Sequence, residues 1–277
     1  MKNLLIRTIS GTVYVALILG AILGGEFAFT IIFGFIIFEA LNEFSSVTKH
    51  DKRFSIFSLI NAIAGVVIFY TAYLYIKEMC LFALPSTAIA YLILLFVFSI
   101  FFSKPKSFHS IVYAVFGQIY IVIPFILLML MQYRFSAENL FHKNQLALAV
   151  FIFIWINDTA AFLVGSLLGK HKLAPRISPK KTIEGFFGGI LLCAAAAFLL
   201  NYLFAPSSLI FWIGFAVVVS LLATLGDLFE SVIKRTFNVK DAGKIIPGHG
   251  GVLDRIDSLL MVIPGIYLYL MLLEIFR

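Results

Sequence analysis

The chain has 277 residues, of which 62% are hydrophobic and 13% charged, and its formal net charge is +7. That balance excludes a water-soluble domain, whose surface would be one continuous apolar patch, and makes lipid the solvent of the protein. The positive charge is read as an orientation signal beside apolar spans rather than as a nucleic-acid footprint, and two cysteines, Cys80 and Cys193, offer neither a disulfide framework nor a metal-ligand spacing.

A bilayer core of about 30 Å takes roughly 20 apolar residues per helix. Stretches of that order are expected as spans near 8–24, 27–44, 55–75, 80–102, 108–131, 146–168, 184–204, 209–228 and 252–275. The first, preceded by Lys2 and Arg7, is read as a span and not a cleaved leader, because the rest of the chain is itself membrane-spanning. The fold class that follows is an all-α polytopic integral membrane protein with about nine transmembrane helices. With the N-terminus cytoplasmic, 17 basic residues fall inside and four fall outside: Lys77, Arg134, Lys143 and Arg277. The positive-inside rule therefore predicts a cytoplasmic N-terminus and an external C-terminus. Ionisable residues divide the chain into a scaffold half, 1–135, of about five spans, and a polar half, 146–277, with cytoplasmic loops 169–183 and 229–251.

Within span six, Asn157 and Asp158 lie deep in an apolar helix. An aspartate there costs about 2.5–3.5 kcal/mol on insertion scales, and such acids usually face a cavity or a partner. A hydrogen bond between helices is the plainer reading; a functional acid is favoured. Ala161, Gly165 and Gly169, four apart, form a small-residue stripe suited to close helix packing. Gly165 to Lys170 only superficially resembles a phosphate loop: it is one residue short between its glycines, and His171 stands where a hydroxyl belongs. The following segment carries five cations, Lys170, Lys172, Arg176, Lys180 and Lys181, with Ser178 and Thr182, just before the helix that starts at Glu184 and Gly185. Such a surface suits phosphate, although the charge could also hold the loop inside or attract anionic lipid.

Where span eight ends, Asp227, Glu230, Ser231 and Lys234 fall at offsets 0, 3, 4 and 7 and share one helix face, followed by Arg235. Then come Lys240 and Asp241, the run Pro247-Gly248-His249-Gly250-Gly251, and Asp254, Arg255 and Asp257 at the head of span nine. Glycines around a histidine allow a tight turn whose amides face an anion, and paired acids at two helix ends suit magnesium held with substrate phosphates. His249 reads equally as a base and as a turn residue.

Taken together these residues resemble the phosphatidate cytidylyltransferase (CDP-diacylglycerol synthase) family. Its pattern is matched from Ser231 to Asp257 at Ser231, Lys234, Arg235, Lys240, Asp241, Gly243, Ile246, Pro247, His249, Gly250, Gly251, Asp254, Arg255 and Asp257, and upstream blocks are similar at Asp158, Gly165, Lys181, Glu184, Gly226, Asp227 and Glu230. Thr224 and Phe162 depart from it, standing where a glutamine and a tyrosine are usual. The resemblance implies transfer of a cytidylyl group from CTP to phosphatidate, giving CDP-diacylglycerol and pyrophosphate, with Mg2+ and a second, monovalent cation such as K+. Fitting that chemistry to the residues assigns Asp227, Asp254, Lys234, Arg235, His249 and Asp158 to catalysis. Lys170, Lys172, Ser178, Lys180, Lys181, Thr182, Ser231, Lys240, Gly250, Gly251 and Arg255 fall in substrate binding. Asp227 and Asp254 are the first choice as metal ligands, with Asp158, Glu230 and Asp257 next. The expected setting is a bacterial inner membrane with the site facing the cytoplasm, no nucleic-acid partner, and a homodimer as an open option. A CTP-dependent polyisoprenoid lipid kinase, an ether-lipid cytidylyltransferase and, from another class, an anion transporter are the competing readings.

Overall fold

The computed structural model of the protein describes residues 2–48, 55–102, 107–137, 144–204, 208–243, 245–246 and 250–275. Among them the helices are α1 (Lys2–Leu23), α2 (Gly25–Thr48), α3 (Ser55–Ile76), α4 (Ala83–Phe102), α5 (Ser107–Gly117), α6 (Ile123–Ala137), α7 (Gln145–Leu168), α8 (Ile183–Leu203), α9 (Leu209–Thr236) and α10 (Leu253–Ile275). A π-helical turn, Gln118–Val122, joins α5 to α6 as one rod. Among the described residues eight helical rods are long and apolar enough to cross a membrane, and α1 adds a shorter apolar stretch, Thr8–Leu23. The protein is thus a polytopic all-α membrane protein, and large side chains such as Phe35, Phe96, Ile100 and Leu191 stand exposed where lipid would cover them.

The chain forms two compact units, Met1–Met129 with Val239–Arg255, and Leu130–Asn238 with Ile256–Arg277. The segment Val239–Arg255, grouped by sequence with the polar half, therefore packs in the first unit.

In the first unit α2 packs on α1 and α3, α3 on α4, and the π turn against α2 and α3. Phe33, Phe69 and Phe125 fill its interior. The π turn is tied down by Gln118, whose Nε2 donates to the backbone oxygen and Oδ1 of Asn61 at 2.8 and 2.9 Å, while Tyr91 donates to that Oδ1 at 2.6 Å. Polar groups inside a membrane helix bundle must find partners in this way.

In the second unit α8 packs on α7 and α9. A Cβ on Gly185 would come within 2.6 Å of the Ala161 carbonyl, and one on Gly188 within 2.6 Å of Val164. The small-residue stripe is therefore a packing surface, as its spacing predicts. At Gly226 α9 and α10 touch backbone to backbone, since a Cβ there would lie 2.8 Å from the Asp257 carbonyl. With 28 residues α9 is about 42 Å long, enough to cross a core of about 30 Å and carry its last turns beyond it. It runs past the expected end near 228 because Glu230 and Lys234, and Asp227 and Ser231, pair along one face.

The segment read as a polar loop, 169–183, is a short antiparallel hairpin of β1 (Lys172–Ala174) and β2 (Ser178–Thr182), with Lys172 opposite Thr182 and Ala174 opposite Ser178.

Candidate functional site

The hairpin is fixed to α8 at both its ends, through His171 just before β1 and Thr182 at the end of β2. The Thr182 hydroxyl caps α8 by accepting the Gly185 N–H at 3.1 Å. His171 donates its backbone N–H to both carboxylate oxygens of Glu184, at 3.1 and 3.2 Å, and its Nδ1 lies 2.7 Å from Oε1. An acid in the first turn also suits the helix dipole. The hairpin is thereby a rigid arm that holds Lys180 and Lys181 over the end of α7.

Below it, in the second unit, lies a cleft of about 310 Å³. Its polar wall is Asn157, Asp158, Ser166, Lys180, Lys181, Thr182, Thr224 and Asp227; its apolar wall includes Phe162, Leu173 and Phe186. Lys181 Nζ lies 2.6 Å from Asp227 Oδ2, and Ser231 donates to Asp227 Oδ1 at 3.4 Å. Asp257, whose Oδ1 accepts the Ser258 N–H at 2.6 Å, is within electrostatic reach of Asp227, Asp158 and Lys234. The buried Glu230 carboxylate is ion-paired with Lys234, so this acid faces an internal cation. Behind Asp158, Asn157 accepts a 2.5 Å hydrogen bond from the buried Ser220, and a Cβ on Gly189 would come within 2.5 Å of the same Asn157 oxygen. Asn157 thus ties α7 to α9, and both it and Asp158 line the cleft.

Of the other sequence-predicted residues in this unit, Lys170, Lys172 and Arg235 are exposed and Ser178 is half-buried at the start of β2. Thr182 lines the cleft, but its hydroxyl is engaged as the α8 cap.

In the first unit the structure holds Lys240, Gly250, Gly251, Asp254 and Arg255. Lys240 and Arg255 are exposed, and Gly250 has φ +87°, a left-handed conformation that glycine adopts freely. Asp254 Oδ2 accepts the N–H groups of Gly251 at 2.8 Å and Ala242 at 3.0 Å. A carboxylate has about four lone-pair positions, so Asp254 keeps capacity after these bonds. His249 lies outside the described residues, as do Lys143 and Arg277 of the charge count. Sequence reasoning passed over Glu43 on α2, which accepts the N–H groups of Val252 and Leu253. Its only signal was an acid close to an apolar helix end.

Among the described residues no three His, Cys, Asp or Glu side chains form a ready-made metal cluster. That donor set still suits magnesium, which is usually bound by one or two carboxylates together with waters and substrate phosphates. The ammonium of Lys181 against Asp227 marks the position as one that draws positive charge.

The sequence pattern of the cytidylyltransferase family matches residues 5–273, and the chain belongs to that family. With its apolar helices, that membership makes it a membrane-integral nucleotidyltransferase. A phosphatidate cytidylyltransferase of Staphylococcus aureus is 34% identical over 267 residues, covering 94% of this chain and 96% of that protein. One from Staphylococcus saprophyticus is 32% identical over 263 residues, with the same coverage of 94% and 96%. One from Staphylococcus epidermidis is 51% identical over a shorter match of 119 residues, 42% of this chain and 45% of that protein.

Proposed function

We propose that the chain transfers a cytidylyl group from CTP to phosphatidate, forming CDP-diacylglycerol and releasing pyrophosphate, at the cytoplasmic face of the membrane. The observation that carries this reading is the cleft of the second unit, where Asp158 and Asp227 meet Lys180 and Lys181 beside an apolar wall. Nucleotide phosphates, a lipid phosphate and an acyl-bearing glycerol together need those surfaces. Family membership and the full-length match to the Staphylococcus aureus enzyme support the same reaction.

In the reaction a phosphatidate oxygen attacks the α-phosphorus of CTP, a new P–O bond forms, and the bond from the α-phosphorus to the bridging oxygen of the β-phosphate breaks. The lipid phosphate has a second pKa near 6 and is largely dianionic at neutral pH, so the attack needs no strong base. The main task is to bring two anions together and to neutralise the leaving pyrophosphate. Lys180 and Lys181 would do this for the nucleotide, and the Phe162 and Phe186 side of the cleft would accept lipid. Asp158 and Asp227 would hold Mg2+, which when bound supplies charge neutralisation to phosphate oxygens. Asp254, an acid at the head of α10, is the further ligand candidate that the sequence offers.

A cytoplasmic site is supported inside each unit. In the first, the C-terminal part of α2 meets the start of α10 through Glu43; in the second, the hairpin between α7 and α8 meets the lower part of α9 through Lys181 and Asp227. The positive-inside rule would put each set of ends in the cytoplasm. A cysteine placed at 240 should be labelled only after the membrane is breached; labelling from outside would reverse the orientation.

The activity is tested by giving the purified chain CTP, Mg2+ and phosphatidate. Pyrophosphate and a liponucleotide are expected. Release of CDP with a phosphorylated lipid product would instead make the chain a lipid kinase.

A further inference from the structure

Glu43 sits on α2 in the half of the chain that the sequence presents as scaffold, and it is only 5% exposed. A buried carboxylate is costly unless its oxygens are hydrogen-bonded. Here each oxygen has a backbone donor: Oε1 accepts the Val252 N–H at 3.0 Å and Oε2 the Leu253 N–H at 2.8 Å. These amides open α10, where a helix has no internal acceptor to offer. The two amides beside them in this fold, Gly251 and Ala242, donate to Asp254. Two carboxylates therefore divide the donors of one turn, and Asp254 is held from one side while the helix that carries it is held from the other.

Space makes the same point. A Cβ on Gly243 would collide with Glu43 Oε1, and one on Gly251 would collide with Oε2. Both glycines belong to the polar segment before α10, and the approach of Glu43 is what requires them to lack side chains.

We propose, resting on the cytidylyltransferase reading, that Glu43 is a positioning residue for the reaction, a scaffold-helix carboxylate that seats the first turn of α10 and so places Asp254 and the segment before it. It acts through backbone amides and not by touching substrate.

The test uses the full chain in lipid or detergent, with Glu43→Gln and Glu43→Asp. Glutamine keeps the volume but presents an NH2 group to one of the two amides, so that a donor meets a donor. Hydrogen exchange at Val252 and Leu253 in ligand-free E43Q should quicken about tenfold or more, with α7 unchanged. In turnover, kcat should fall about tenfold while the KM for CTP stays within about twofold, because the Lys180 and Lys181 contacts are untouched. E43D retains the charge and should recover more kcat than E43Q. Unchanged exchange at 252 and 253 would overturn the proposal. So would a kcat per folded molecule equal to wild type with only a lower melting temperature, since that is the behaviour of a purely structural acid. If the wild-type chain makes no pyrophosphate from CTP and phosphatidate, the cytidylyltransferase reading and the catalytic part of this role fall, while the seating of α10 is still decided by the exchange data.

Discussion

The acids at the start of α10 in the first unit and those along the cleft of the second are held differently. In the first, Glu43 and Asp254 are held by backbone N–H groups, at 2.8–3.0 Å for their closest bonds. In the second, Asp227 and Glu230 are held by lysine ammonium groups, and Asp158 opens onto the cleft. A backbone amide is fixed by the fold and cannot leave its acceptor without unfolding the turn. A lysine is a flexible point charge that can be exchanged for another cation or can turn to a phosphate. The start of α10 thus uses acids to fix geometry, while the cleft keeps its acids and cations in exchangeable pairs.

The strongest way to break this contrast is Asp227→Asn. The amide keeps the shape but gives up the charge, so a folded protein should lose about two to three orders of magnitude in turnover. Pyrophosphate release measured beside a thermal melt checks it. Near-normal turnover in a folded sample would remove Asp227 from the reaction.

Next in size is Lys181→Gln. Losing one charged phosphate donor costs about 1.5–3 kcal/mol, so the KM for CTP should rise about tenfold to hundredfold while the protein remains correctly inserted. An unchanged KM would mean that Lys181 serves only its ion pair with Asp227.

What could be read from the sequence follows from local contrast. Apolar runs show through because every lipid-facing helix needs them, and Asp158, Lys181 and Asp227 stand out because charge is rare in such a chain. The hairpin 172–182 does not show through, since its strands lack alternating apolar residues and β2 contains Pro179, which only an edge strand tolerates. The partnership of Glu43 with Val252 spans 209 residues, and its chemistry on the far side is carried by backbone amides that any residue could supply. The π turn at Gln118 is equally silent, because its cause is the buried hydrogen bonding to Asn61 on another helix.

A smaller effect is expected at the α7–α8 contact. Gly188→Ala would put a Cβ 2.6 Å from Val164 Cβ, and overpacking of this kind costs about 1–3 kcal/mol. The melting temperature should fall while kcat per folded molecule is retained, since neither Gly188 nor Val164 lines the cleft. An equal melting temperature would show that α7 and α8 can part without loss.

The smallest effect sharpens the contrast most, because it compares two glutamates one turn apart on α2. Glu39 is half-buried and has no hydrogen-bond or ion-pair partner among the described residues, whereas Glu43 holds two backbone amides. Glu39→Gln removes the same charge from the same helix but leaves every backbone donor satisfied. Surface-type changes without a partner are usually worth within about 0.5 kcal/mol, so stability should barely move and turnover should stay within about twofold. If Glu39→Gln were instead as damaging as Glu43→Gln, the cause would be the negative charge of α2 as a whole and not the seating of α10 by one carboxylate. The pair of variants therefore separates a field effect, which both residues share, from a hydrogen-bonding effect, which the geometry gives to Glu43 alone.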